Sequence, residues 1–223
     1  MITLQNVTKT YALGRKRFLT ALDDINLQVN QGEFWVISGR SGAGKTTLLN
    51  LISGLTRPSS GCILWDGTEI WSYSDKERSH LRNQRIGFIF QFPSLLRSLT
   101  ALENVLLPDV FGPHRKQSEI YERATMLLEM VGLSDKLNAY PYQLSAGEQQ
   151  RVVIARSLIR QPEVLLADEP TSDLDEKTER EMIRILQELH KTAGVTMLLV
   201  THAVELVEPN AHVLKLANGT VVS

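Results

Sequence analysis

The chain of 223 residues has a single cysteine, no surplus of charge and no long apolar run. Cys62 alone rules out an internal disulfide and a CxxC redox or zinc pair, so it predicts a reducing compartment and a thiol that serves as packing. The 24 Lys and Arg stand against 25 Asp and Glu, a net charge of −1, which removes the electrostatic case for nucleic acid or an anionic membrane surface. Any anion bound here has to be held by local groups. No stretch approaches the roughly 18 apolar residues of a membrane span, and MITLQNVTKT has no apolar segment resembling a signal peptide. Repeats, low-complexity tracts and heptads are also missing. What is left is a cytosolic globular chain, large enough for a core with a subdomain and still open to a membrane partner.

Four short apolar runs stand out: FWVIS (34–38), IGFIF (86–90), VLLA (164–167) and VTMLLV (195–200). They are too short for helices and rich in Val, Ile, Leu and Phe, so they predict strands buried on both faces of a parallel sheet. Each stops at glycine or polar residues, and in parallel α/β sheets ligands sit outside the carboxyl ends of the strands. Strict alternation in Ile25-Asn26-Leu27-Gln28-Val29, with turn signals at Asp66-Gly67 and Asn218-Gly219, predicts antiparallel strands near the termini. Residues 92–160 read as helical. Thr100 and Glu103 suit a capping box, and Ile120, Ala124, Leu127, Leu128 and Val131 make one apolar face ending at Gly132. A strand-helix-strand unit needs only about 30 residues, so this segment predicts an inserted helical subdomain. The expected fold is α/β, with residues 1–91 and 161–223 as core and antiparallel β subdomain and residues 92–160 as the helical insert.

GRSGAGKTT (39–47) directly follows a buried strand and precedes TTLLNLISG. It fits G-x-x-x-x-G-K-[ST], in which glycines Gly39, Gly42 and Gly44 with Ser41 let backbone N–H groups wrap phosphates. Lys45 would reach the β- and γ-phosphates, Thr46 would ligate Mg²⁺, and Thr47 lies beside them. VLLADEP ends a buried run on two adjacent carboxylates, costly without a cation or hydrogen bonds, which gives Asp168 to the metal shell and Glu169 to a water as general base. LSAGEQQR (144–151) raises two readings. Ser145 and Glu148 form a capping box, while Ala146 and Gly147 leave a helix N-terminus suited to a phosphate. Gln91 and His202 end strands and by themselves would pass for structural polar residues. Trp65 and Trp71 read as packing near Asp66-Gly67, and Arg15-Lys16-Arg17 as a solvated loop.

Taken in order, these motifs resemble an ABC-type ATPase, the nucleotide-binding subunit of a transporter with a P-loop NTPase (RecA-like) core. The resemblance makes Tyr11 the adenine-stacking residue, Gln91 the Q-loop and a metal-shell residue, LSAGEQQR the signature, SDLD ending at Asp175 the D-loop, and His202 the switch histidine. It implies ATP and Mg²⁺ as cofactors and a homodimer that sandwiches two ATP, with Ser145, Gly147, Glu148 and Asp175 acting on the partner's nucleotide. A membrane permease would be driven from the inner face of the cell membrane, with no role for nucleic acid. LRNQRIGFIFQF (81–92) and LTALENVLLP (99–108) are similar to the lipoprotein-release and macrolide-export group, with Phe92, Leu95, Leu96 and Glu103 in the permease groove. SDLD and Ala146 depart from that group's usual D-loop and signature. The expectation is an exporter or extractor, with a regulatory or cell-division complex without transport, or a soluble ABC ATPase, as the alternatives. Glu148 stands where the commonest signature has Gln; a carboxylate beside a γ-phosphate would repel it unless turned back onto the Ser145 N–H.

Overall fold

A computed structural model describes residues 1–14, 17–112 and 115–222. In chain order the elements are β1 (Ile2–Ala12), β2 (Phe18–Val29), β3 (Phe34–Gly39), α1 (Lys45–Ile52), β4 (Ser60–Trp65), β5 (Thr68–Glu69), α2 (Asp75–Arg85) and β6 (Ile86–Ile89). There follow α3 (Ala101–Val110), α4 (Gln117–Met130), α5 (Ala146–Leu158), β7 (Val164–Asp168), α6 (Glu176–Ala193), β8 (Thr196–Val200), β9 (His212–Ala217) and β10 (Thr220–Val222). They group into two units, Met1–Arg82 with Thr196–Ser223, and Asn83–Val195.

In the first unit β1 pairs antiparallel with β2 and β4, and β5 folds back on β4. The alternation in β2 buries Ile25, Leu27 and Val29 and exposes Asn26 and Gln28. Asp66 and Gly67 both take positive φ, 48° and 79°, as a two-residue turn matched to strand twist requires. β3 runs parallel to β8. The expectation of antiparallel strands at the C-terminus holds only for β10, which returns from β9 through Asn218-Gly219; β9 itself runs parallel to β3. The Asn-Gly turn fixes the local hairpin and carries no information on the long-range partner. Trp65 is buried, its indole N–H donating to the Ile52 carbonyl at 2.9 Å, and Trp71 stacks under the Arg78 guanidinium at 4.2 Å. Cys62 is no core filler: alternation along β4 sends Ile63 and Trp65 inward and leaves Cys62 half-buried beside the Gln5 side chain, 3.4 Å away. Arg15 and Lys16 of the basic triplet lie outside the described residues; Arg17 is exposed and its carbonyl accepts the Leu13 N–H at 2.7 Å.

In the second unit β6 and β7 run parallel from Ile86↔Val164 to Ile89↔Ala167. Every residue of β7 is buried, as expected, but β6 alternates between half-buried and buried because it is an edge strand. α3, α4 and α5 pack on one another. The face of α4 is the one read from sequence, with Ile120, Ala124, Leu127 and Leu128 buried and Gly132 at φ 76° ending it. Each large apolar side chain of that face contributes about 1.5–3 kcal/mol by leaving water. Arg123 donates to the carbonyls of Leu158 and Ile159 at 2.9 and 3.0 Å, closing the α5 C-terminus.

Four helix starts, those of α2, α3, α5 and α6, rely on carboxylates. Glu103 accepts the Thr100 N–H, Glu148 accepts the Ser145 N–H, Asp175 accepts from the Thr178 hydroxyl and from the Lys177 and Thr178 N–H groups, and Glu77 pairs with Ser74. These bonds hold all four carboxyls below their ordinary pKa. A folded pKa below the unfolded one means the stability is present above the ordinary carboxylate range and is lost as pH falls through the lowered values. The thermal midpoint should therefore be level from neutral pH to about pH 5 and fall below about pH 4. A pH series of melts checks this, and a midpoint that rises on acidification from pH 5 to 3 would refute it.

Candidate functional site

Within the first unit the loop from Gly39 to Gly44 links β3 to α1, and glycine is required at two of its positions by backbone contact. A side chain at Gly44 would put its Cβ 2.4 Å from the Ala21 carbonyl oxygen, on a backbone at φ 102°; one at Gly39 would meet the Leu216 carbonyl at 2.3 Å. Gly42 also takes positive φ, 77°. The chain thereby turns into α1 at Gly44, a left-handed N-cap, with no acidic residue in the first turn to offset the positive helix end. Lys45 is 5% exposed, and its ammonium folds back over the loop to donate to the carbonyls of Gly39 and Arg40 at 2.9 and 3.3 Å. Ser41 and Thr46 are exposed and Thr47 is half-buried. Since β3 and β8 are parallel and in register from Phe34↔Met197 to Ile37↔Val200, the residues after them leave by the same edge of the sheet. Exposed His202 is therefore on the edge from which the glycine loop departs. Tyr11, 36% exposed, pairs with Leu19 one step before the β1–β2 ladder ends at Ala12↔Phe18, with the Lys9 ammonium 4.9 Å from its ring centroid.

Within the second unit the parallel pair β6–β7 brings the residues after Phe90 and after Ala167 to one edge in the same way. Gln91 is half-buried there, and the rings of Phe88 and Phe90 before it stack with 4.2 Å between centroids. Asp168 is 8% exposed, and Glu169 is half-buried at φ 45°. Of the other non-glycine residues with positive φ, all but Gln161 are Asn or Asp, the types that tolerate this region. Left-handed backbone at a glutamate is a local strain, and nothing in VLLADEP shows it.

The signature segment also lies in this unit. Ser145 caps α5, its hydroxyl accepting the Glu148 N–H at 3.3 Å, while the Glu148 carboxylate accepts the Ser145 N–H at 2.8 Å. The Ser145 N–H is the first cause of the lowered Glu148 pKa. Glu148 is thus turned back on its own helix. Ser145, Gly147, Glu148 and the D-loop residues Asp173 and Asp175 line one recess of ≈ 530 Å³. Asp175 also caps α6, so both of its carboxylate oxygens are already in hydrogen bonds. Arg151 stands in the same wall, donating to the Val131 carbonyl at 3.0 Å and to Glu181 at 2.8 Å. Gln91 and Asp168 of this unit carry amide and carboxylate oxygens, and Thr46 of the first unit a hydroxyl, each a donor type that a hard cation accepts. Among the described residues no three His, Cys, Asp or Glu gather as an all-protein metal cage. Sequence reading missed Asn104, buried in α3, and Gln150 and Arg156 of α5, whose side chains hold the backbone after β6; spacing alone carries no signal for them.

Comparison with known proteins gives the family and the fold. The family model described as ABC transporter matches residues 22–172. A methionine import ATP-binding protein of Haemophilus influenzae is 46% identical over 93% of this chain, which spans 59% of that protein. A lipoprotein-releasing system ATP-binding protein of Syntrophotalea carbinolica is 40% identical, with 99% of this chain and 96% of that one covered. The dimeric structure of an ATP-binding cassette in a post-hydrolysis state, bound to ADP and phosphate, superposes with a TM-score of 0.91 at 39% identity, covering 100% of this chain and 97% of that one. Motifs, fold and comparisons meet on one assignment: the chain belongs to the ABC transporter family and is an ATP-binding, ATP-hydrolysing member of it.

Proposed function

We propose that this chain is the ATPase subunit of a membrane transporter, that two copies close on two ATP molecules, and that the closure drives a permease. The observation that carries the reading is the signature end of α5. Its N-terminal residues line a recess shared with the D-loop, where the one acidic residue of its first turn, Glu148, has its carboxylate bonded to the Ser145 N–H. A capped helix N-terminus opening on such a recess suits a γ-phosphate brought by a second copy. In this scheme Tyr11 stacks on adenine and the Gly39–Thr47 loop, with Lys45, holds the β- and γ-phosphates. Thr46, Gln91 and Asp168 hold Mg²⁺, which supplies charge neutralisation on the phosphates when bound. Glu169 takes the proton of the attacking water, and His202 donates to the γ-phosphate. Ser145, Gly147, Glu148 and Asp175 act from the other copy. Phosphoryl transfer is catalysed mainly by positioning and charge, so a site split between two bodies hydrolyses only when they close.

The permease would hold the chain at the inner face of the membrane; among the described residues no helix is long and apolar enough to cross one. The lipoprotein-releasing relative and the segments LRNQRIGFIFQF and LTALENVLLP support an exporter or extractor. The methionine import relative supports the opposite direction, and identification of the co-purifying permease decides between them.

Ser145→Ala tests the split site. Loss of the cap should cost about 1 kcal/mol of stability, leaving a folded chain that binds ATP as a monomer. Sigmoidal dependence of hydrolysis on protein concentration should disappear, with the rate down about 10²-fold. A Ser145→Ala chain that hydrolyses at the wild-type rate would sink the two-copy scheme.

A further inference from the structure

The backbone that follows β6 is held by side chains from α3 and α5. Gln150, 2% exposed, donates its amide to the Phe90 carbonyl at 3.2 Å, the carbonyl immediately before Gln91. Arg156 donates one nitrogen to the Ser94 carbonyl at 2.6 Å and another to the Ser94 hydroxyl at 2.8 Å. Asn104, fully buried, accepts the Leu96 N–H at 2.8 Å and donates to the carbonyls of Leu96, Leu99 and Thr100 at 2.9–3.1 Å. Between these anchors the segment turns apolar side chains outward, Phe92 at 66% and Leu96 at 47% exposed. Gln150 and Arg156 belong to α5, the helix whose first turn Ser145 caps. A helix transmits displacement along its axis because its hydrogen bonds close every turn. The residues on either side of Gln91 are therefore bonded to the element that carries the signature.

We propose that Gln150 and Arg156 are positioning residues that fix the segment 90–94 to α5, so that a shift of that segment moves the Ser145 end of the helix. Neither side chain is assigned contact with nucleotide; both act through the backbone flanking Gln91. The planar guanidinium is suited to this because two nitrogens held in a fixed fork meet two acceptors of one residue, whereas a lysine ammonium has to reach both from a single nitrogen on a shorter, flexible stem. Among the described residues the buried Oε1 of Gln150 has no hydrogen-bond partner; this side chain holds Phe90 through its one amide N–H bond, and Arg156, with two bonds to Ser94, is the stronger tie. The inference rests on the two-copy hydrolysis proposed above.

The test uses the full chain with Arg156→Lys, Ser94→Ala and the double variant, measuring hydrolysis kinetics, ATP affinity of the monomer and the melting midpoint. Expected are a kcat lower by about tenfold for Arg156→Lys and about threefold for Ser94→Ala, with KM and monomer ATP affinity within about twofold of wild type. The double variant should be no slower than Arg156→Lys, since both changes break one contact. Faster amide exchange at residues 91–94 should accompany the loss. Wild-type kcat in both single variants overturns the proposal, and so does a fall in ATP affinity that parallels the fall in kcat, the mark of a general structural defect. Should Arg156→Lys fail to fold, Ser94→Ala decides alone: an unchanged kcat overturns the proposal. A wild-type chain without ATP-dependent dimerisation or hydrolysis defeats the two-copy reading itself, a result separate from active wild type with unaltered variants.

Discussion

Glu169→Gln should abolish turnover while leaving the fold and ATP binding intact. The amide has the carboxylate's shape but cannot take a proton from water, and general-base losses run to about 10³-fold, or ~4 kcal/mol of barrier. Binding of ATP involves groups elsewhere, so two copies should still close, and without hydrolysis they should remain closed. Phosphate release and size-exclusion chromatography with ATP check the two halves of this result. Hydrolysis within about tenfold of wild type would remove Glu169 from the role. The backbone at this residue strengthens the assignment: φ of 45° fixes where the carboxylate emerges after Asp168, on an edge strand pair that is otherwise fully regular.

Lys45→Ala should weaken ATP binding by about 10²-fold, the size of a lost charge-assisted hydrogen bond. Two effects combine. The ammonium leaves the phosphates, and its bonds to the Gly39 and Arg40 carbonyls, which hold the loop in a closed turn, disappear with it. Titration calorimetry measures the affinity, and a melt run in parallel separates it from unfolding. Affinity within twofold of wild type would overturn the phosphate-loop assignment. Lys45→Arg is a useful companion, since it keeps the charge but cannot fit a fork where a single nitrogen sits 5% exposed inside the loop.

Local chemistry made much of this molecule legible. Capping boxes at Thr100 and Ser145, the apolar face of α4, and the Asp66-Gly67 turn depend on neighbours within four residues, and the structure has each of them. Glu148 belongs with these: its harmless orientation follows from the three-residue spacing to Ser145. What depended on distant partners was not legible. The parallel pairing of β9 with β3, the half-exposure of β6 and the outward placement of Cys62 are set by which strands lie alongside, and no short window records that. Gln150 and Arg156 escaped for the same reason, because their partners lie 60 and 62 residues away. The strain at Glu169 is a further case, since a dihedral angle leaves no mark in composition.

That strain has an evolutionary consequence. Left-handed backbone costs a glutamate roughly 1–2 kcal/mol, a cost that Gly escapes and Asn reduces. A population of such chains selected for heat resistance alone should accumulate Gly or Asn at position 169 and lose ATPase activity as it does so. Persistence of Glu there under thermal selection would mean that turnover, and not stability, is what the selecting conditions preserve.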